Sequence, residues 1–166
     1  MIKLILPLTA LIVFAGLIGW YFQQRSPLQA RQSQIHAMGS SVMPFDLNQT
    51  THFFQVTDTG GLQQIRSKDP NNTQQISLIQ GHLRTEADLF AQGDFSDPAQ
   101  LHGADMPGLS TLQASAGKFT AEYQDLADGG QIIYQTDNPE VIQAIHQWFM
   151  AQLHDHGPDA TDNTSM

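Results

Sequence analysis

The sequence predicts an α+β fold in which a four-stranded antiparallel sheet carries two helices on one face. Two pairs of short segments rich in aromatic, β-branched or alternating residues are each joined at a glycine turn, Gly60-Gly61 and Gly129-Gly130. Each pair is followed by a longer segment whose apolar residues recur every three or four positions, as in an amphipathic helix. The order strand, turn, strand, turn, helix therefore occurs twice. One sheet covered by both helices buries both apolar stripes of this ββα-ββα pattern.

The N-terminal segment is strongly apolar. Residues 4–22 form nineteen consecutive residues without a charge and end in Trp20, Tyr21 and Phe22. A run of this length with interfacial aromatic residues predicts one transmembrane helix. The small-residue pattern of a signal-peptidase site is missing, which favours an uncleaved anchor. We therefore expect residues 1–22 to be inserted in a membrane and the body to lie outside the cytoplasm.

The next segment predicts a stalk between the membrane and the body. Residues 23–42 are rich in Gln, Ser and Arg, with a helical stretch near 28–38. A single α+β domain is expected over 43–157. The polar residues 158–166 are expected to form a disordered tail.

The first half of the domain contains one hairpin and one helix. Residues 51–57 are rich in aromatic and β-branched side chains, and residues 62–68 alternate polar and apolar ones, so both are predicted strands. A helix is predicted at 74–91, after a turn at Asp69-Pro70. Its apolar face comprises Ile79, Leu83 and Phe90.

The second half repeats this order after a central segment. Gly, Pro and Asp residues predict a rigid loop at 93–109, with one short helical turn near 109–114. Strands are predicted at 118–124 and 131–136, and a helix at 139–154 begins with a proline. The predicted buried face of that helix comprises Ile142, Ile145 and Phe149.

Composition excludes several functions. Seven Lys and Arg against sixteen Asp and Glu give a net charge of -9, which argues against nucleic acid as a partner and favours cations. The sequence has no cysteine, so disulfides, thiolate metal sites and catalytic thiols are excluded. No serine lies in a Gly-x-Ser-x-Gly context, and an enzyme is the less favoured class.

Five short motifs cover most of the body. They are Met43 to Leu47, Gly93 to Pro98, His102 to Leu109, Ala144 to Phe149 and Asp155 to Gly157. In these motifs the chain resembles a group of small exported bacterial proteins of unsettled function. The resemblance implies an anchor in the bacterial inner membrane and a body in the periplasm. Members are often labelled aspartate carbamoyltransferase, but the residues do not support that activity, because the Ser-Thr-Arg-Thr loop that grips carbamoyl phosphate in that enzyme is absent.

Histidines are the candidate metal ligands. His82 and His146 occupy comparable positions on the two predicted helices, and His102 lies in the loop between them. If the helices pack side by side, the three imidazoles converge, and Asp105 and Met106 supply further donors for copper or zinc. The alternative is that each histidine is structural and hydrogen-bonded to a carboxylate or a carbonyl.

Two functions from different classes follow. The first is a membrane-tethered periplasmic protein that binds copper or zinc through His, Met and Asp. The second is a non-catalytic interaction module, or an accessory subunit of an envelope complex, whose aromatic pair Trp148-Phe149 contacts a partner. The last helix offers an alternative copper site, where His146, Met150 and His154 are spaced four residues apart.

Overall fold

The computed structural model describes residues 26–162. The chain divides into two units, residues 1–31 and 32–166, and the sheet and the candidate site belong to the second. The helices are α1 Pro27–Met38, α2 Thr73–Ala91, α3 Ser96–His102, α4 Leu109–Gln113 and α5 Pro139–His156. The strands are β1 Thr50–Thr57, β2 Gly60–Ser67, β3 Thr120–Leu126, β4 Gly129–Gln135 and β5 Ala160–Thr161. Short 3-10 turns occupy Gly39–Ser41, Leu47–Gln49 and Gly157–Asp159.

The sheet corrects the predicted four-stranded antiparallel arrangement. It has five strands in the order β3-β4-β2-β1-β5, and β5 runs parallel to β1, so the sheet is mixed. The fifth strand lies in the segment predicted to be a disordered tail. Gly157, with φ +54°, ends α5, and Pro158 prevents the helix from continuing. The chain then turns back, and β5 pairs with the edge of β1 that would otherwise be open.

The α+β class itself holds for the described residues. The predicted transmembrane helix, residues 4–22, lies outside them. Within residues 26–162, none of the helices combines the length and the apolar character needed to span a bilayer.

The two long helices cover the same face of the sheet. Phe149 of α5 lies over Gly61 on β2, and Leu83 of α2 lies over Gly130 on β4. Gly130 is paired with Ile65, which is four residues from Gly61 and so faces the same side. Each helix also crosses to the other hairpin: α2 packs chiefly on β3 and β4, whereas α5 packs on β1 and β2.

Both long helices begin at asparagine caps. The Asn72 side chain accepts a hydrogen bond from the Gln75 amide, and the Asn138 side chain accepts from the amides of Glu140 and Val141. Such a cap stabilises a helix by about 1 kcal/mol. The caps fix where α2 and α5 start and therefore which of their residues face the sheet.

The core contains a cluster of aromatic rings. Trp148 packs edge-to-face on Phe90, Phe95 and Tyr134, and Phe149 packs in the same way on Tyr134. Trp148 and Phe149 are fully buried, so this pair does not form the partner-binding surface expected of an interaction module.

The central segment contains a helix that was predicted to be loop. The Asp94 side chain accepts a hydrogen bond from the Ser96 amide and orients the first turn of α3. Pro98 lies in that first turn, where an amide hydrogen has no intrahelical partner, so proline is tolerated there. The short helix predicted near 109–114 is α4.

Candidate functional site

A small polar cavity lies between the sheet and helices α2, α3 and α5. Its volume is about 50 Å³. An empty cavity inside a hydrophobic core is normally lined by apolar side chains, whereas this wall combines seven apolar residues with nine that carry polar side-chain atoms. The polar side chains along its wall are His52, Gln63, His82, Glu86, Asp97, His102, Trp148, Gln152 and His156.

Helix α5 contributes a row of three side chains to the wall. Trp148, Gln152 and His156 are spaced four residues apart, which places them on one face of the helix. All three are at most 5% exposed. Trp148 contacts the aromatic core, and Gln152 and His156 extend the row along the polar wall of the cavity.

Three imidazoles form a cluster, defined here as His52, His102 and His156. His52, from β1, stacks on His156 with ring centroids 4.8 Å apart. His102, at the end of α3, packs edge-to-face on His156 at 5.0 Å. A strand, a short helix and a long helix thus each supply one member of the histidine cluster.

Hydrogen bonds orient two members of the cluster. His102 donates from Nδ1 to Oδ2 of the buried Asp155 at 3.0 Å. His52 donates to the backbone carbonyl of Asp159. Both bonds fix the orientation of the ring.

Burial keeps part of the cluster uncharged. Loss of solvation lowers the pKa of His52 to about 4. Burial also holds the pKa of His156 well below its usual range, and the neighbouring His52 and His102 lower it further. His52 and His156 are therefore neutral at physiological pH and offer lone pairs rather than positive charge.

Three buried polar atoms share one environment. Among the described residues, His52 Nδ1, Trp148 Nε1 and Gln152 Oε1 are the buried side-chain atoms without a hydrogen-bond partner. All three belong to side chains that line the cavity. An unsatisfied buried polar atom costs about 1–3 kcal/mol, so three of them around one cavity indicate a place for a polar molecule.

A carboxyl pair lies where the cavity meets the surface. Glu86 of α2 is 4% exposed and shares a hydrogen bond with the half-buried Asp97 of α3. Burial, followed by the negative charge of Asp97, raises the pKa of Glu86 to about 8. At neutral pH Glu86 is therefore protonated and donates to Asp97. His82 lies beside the pair, and burial lowers its pKa as well.

The same carboxyl pair forms the floor of an open groove of about 570 Å³. Val42, Met43, His82, Glu86 and Asp97 line both the groove and the inner cavity. The other groove residues are small hydroxyl or apolar ones and include neither Lys nor Arg. They are Ser40, Ser41, Pro44, Ser77, Leu78, Gly81, Thr85 and Leu89.

The residues predicted as metal ligands are only partly brought together. His82 and His102 line the same cavity. His146 is directed to the β1–β2 turn, where Nε2 donates to the carbonyls of Thr57 and Gly60, both at 3.0 Å. Because position 146 is only two residues from Trp148, it lies on a different face of α5.

Asp105 and Met106 do not line the cavity. Asp105 is exposed, and Met106 is packed in the hydrophobic core. The separate line on α5 is not a preformed site either, since Met150 is 62% exposed while Nε2 of His146 is bonded to the turn. Within residues 26–162, no group of three or more His, Asp or Glu side chains is arranged to hold a metal ion.

Sequence reasoning missed most of the residues that build the cavity. The predicted ligand set did not include His52, Gln63, Glu86, Asp97, Trp148, Gln152 and His156. A signal existed for the row on α5, because Gln152 and His156 continue the helical spacing of the buried Trp148. A polar residue in register with a buried stripe is therefore the pattern to look for.

Comparison with known protein families, curated proteins and solved structures found no match. The fold and the cavity define the chain as an α+β domain with a polar internal site. The resemblance to small exported bacterial proteins stays a prediction.

Proposed function

We propose that this protein binds a small polar organic molecule, which enters through the groove and places one end in the inner cavity. The observation that carries the proposal is the set of three unpartnered atoms, His52 Nδ1, Trp148 Nε1 and Gln152 Oε1. Two of them are acceptors and one is a donor, so a molecule with both kinds of group satisfies all three. A bound molecule would remove several kcal/mol of desolvation cost at about 1–3 kcal/mol per atom.

The dimensions support a ligand that occupies both spaces. The groove volume of about 570 Å³ lies within the ~300–1,000 Å³ common for small-molecule sites. The inner cavity of about 50 Å³ holds only a terminal group of such a ligand. The apolar groove residues Val42, Met43, Leu78 and Leu89 offer contact to the remainder of the molecule.

The carboxyl pair supports recognition at the junction. Protonated Glu86 and the carboxylate of Asp97 line both spaces, so a ligand that passes between them meets a donor and an acceptor together. With no Lys or Arg in the lining, a strongly anionic ligand has no countercharge in the groove.

Copper or zinc binding is the second candidate function. The ligands would be the histidine cluster and not the set predicted from the sequence. The histidine cluster favours it, since ligating histidines usually donate their other ring nitrogen to a carboxylate or a carbonyl, as His102 and His52 do. Trp148 Nε1 argues against it, because an N–H donor cannot ligate a cation. Metal binding also needs side-chain rotation, since the described residues hold no preformed group.

The indole signal of Trp148 provides a direct test. The full-length protein carries two tryptophans, and Trp20→Phe leaves Trp148 as the sole indole N–H. We expect members of a panel of small polar compounds to shift this signal in a saturable manner. If no compound shifts it, the proposal is wrong and buried water fills the cavity.

A matched pair of variants tests the route of entry. Gly81 lies in the groove wall, and a side chain added there meets nothing within 4 Å. Gly81→Phe is expected to weaken binding by filling the groove, whereas Gly81→Ala leaves the groove open and retains binding. Equal binding by both variants would exclude the groove as the route.

Titration with zinc or copper decides the second candidate. Metal binding that is lost in His102→Phe and retained in His146→Phe would favour a metal site at the histidine cluster over an organic ligand. The envelope location and an interaction partner stay predictions.

A further inference from the structure

We infer that the group held in the inner cavity is a primary carboxamide, CONH2, at the end of the ligand. This inference rests on the proposed function and specifies the chemistry of the ligand. It follows from the donor and acceptor count around the cavity, from the charge of the wall and from the size of the space.

The count follows from the three buried atoms that have no hydrogen-bond partner. His52 uses its N–H for the Asp159 carbonyl, so its unpartnered Nδ1 is an acceptor. Gln152 Oε1 is an acceptor, and Trp148 Nε1 is a donor. A group that satisfies all three atoms therefore has two N–H or O–H donors and one acceptor.

Water satisfies that count, but few end groups of an organic ligand do. A hydroxyl has a single donor, so one of the two protein acceptors stays without a partner. A carboxylate has no donor, and an ammonium group has no acceptor for Trp148 Nε1. A primary carboxamide has two N–H donors and one carbonyl oxygen, which matches all three atoms.

The charge of the cavity wall also favours a neutral group. His52 and His156 are uncharged at neutral pH because burial lowers the pKa of each. Asp155 is bonded to His102, and Glu86 shares its proton with Asp97. The cavity wall holds neither Lys nor Arg, and His102 is already bonded to the carboxylate of Asp155, so a carboxylate on the ligand meets no uncommitted countercharge and its desolvation would be costly.

The size of the cavity agrees with this group. A water needs roughly 10–15 Å³ of such space, so about 50 Å³ accommodates roughly three to five non-hydrogen atoms. A carboxamide has one carbon, one oxygen and one nitrogen. The rest of the ligand then extends past Glu86 and Asp97 into the groove.

Acetamide and acetate form a matched pair of probes, because they have the same number of non-hydrogen atoms and acetate has no N–H. Each is titrated into full-length Trp20→Phe protein in detergent, and the Trp148 indole signal is followed. We expect acetamide to shift the signal with a Kd in roughly the millimolar range for so small a fragment, and acetate to leave it unchanged.

Two variants show whether the cavity is responsible. Gln152→Met keeps the length of the side chain and removes the acceptor, so acetamide affinity is expected to fall about tenfold. Gln147→Met, at an exposed position of the same helix, is the control and should leave the affinity unchanged.

The outcomes separate the two proposals. Acetamide binding that depends on Gln152 supports the inference. If acetate binds as well as acetamide, or if other polar compounds shift Trp148 while acetamide does not, the carboxamide inference is overturned and the proposed binding function stands. If no compound of any class shifts the signal, the binding function fails too.

Discussion

The imidazole of His52 stacks on that of His156 at 4.8 Å, so the first strand and the end of the last helix meet at one point of the core. Both rings are buried, and neither carries a charge at neutral pH. Protonation of either ring would place a buried cation next to another imidazole. The stability of the fold is therefore coupled to pH through this contact.

Glu86 makes stability fall as pH rises from 4.5 to about 8. Its pKa is raised from 4.5 to about 8 in the fold, so the folded state holds a proton that the unfolded state releases. The stabilising effect is complete below pH 4.5 and is lost as pH rises towards 8, at up to about 1.4 kcal/mol per pH unit. Glu86→Gln should remove this dependence in urea unfolding measured from pH 6 to pH 9, conditions chosen to span about the upper half of that window.

A surface variant controls for the loss of one carboxylate. Glu122 is exposed on β3, so Glu122→Gln should keep the wild-type dependence. An unchanged slope in Glu86→Gln would show that Glu86 is ionised in the fold.

His52 and His156 act in the opposite direction on the acid side. Their pKa values are lowered in the fold, so the unfolded state takes up protons that the folded state does not. For His52 the stabilising effect is complete above pH 6.5 and is lost as pH falls towards 4, at up to about 1.4 kcal/mol per pH unit. Stability of the wild type should therefore peak near pH 6.5.

The Glu86→Gln background isolates the histidine contribution, because the opposing carboxyl is gone. In that background, His52→Phe should lower the slope of the free energy of unfolding against pH between pH 4.5 and pH 6.5. The decrease should correspond to about one proton fewer taken up on unfolding. His154→Gln, which changes a histidine side chain that is 61% exposed, is the control. Equal slopes for both variants would contradict a buried, neutral His52.

Gly108 is required where the central segment crosses α5. It has φ +81°, and an added Cβ would overlap the carbonyl oxygen of Ala144. Gly108→Ala should lower the free energy of unfolding by at least about 1–3 kcal/mol, since neither backbone can move away easily. Gly81→Ala, at an open helical position, should instead stabilise by up to about 1 kcal/mol. Thermal unfolding of the two variants checks that Gly108→Ala lowers the melting temperature and Gly81→Ala raises it.

His146 is predicted to be a structural residue. Its ring bonds to the carbonyls of Thr57 and Gly60 and ties α5 to the β1–β2 turn. His146→Phe should cost about 1 kcal/mol of stability and leave ligand-induced shifts of the Trp148 signal unchanged. Loss of those shifts in a variant that is still folded would return His146 to the binding site.

The local structure was largely predictable from the sequence, and the site was not. Strands β1 to β4 and helices α2 and α5 lie within two residues of their predicted ranges, because glycine turns, asparagine caps and apolar periodicity are local signals. The fifth strand was missed, since two residues such as Ala160-Thr161 have no period of their own. Their pairing with β1 depends on where α5 ends.

The rotation of each helix about its axis determines which of its side chains reach the cavity. Sequence placed His146 at the same depth as His82, but one turn of α5 has only 3.6 residues, so a shift of two positions changes the face completely. Trp148 faces the core, and its partners at four-residue steps, Gln152 and His156, therefore reach the cavity. Long-range meetings, such as that of His52 with His156, have no local signal.

The crossing of each helix to the opposite hairpin has a consequence for biosynthesis. When the ribosome has released the chain through α2, the β1–β2 hairpin is complete, but the helix that covers it is α5, at the far end of the domain. The nascent first half therefore leaves apolar side chains such as Phe54 and Ile65 in contact with water or with a chaperone. Folding has to wait for Pro139–His156, so a truncated chain is expected to be prone to aggregation rather than to form a stable half-domain.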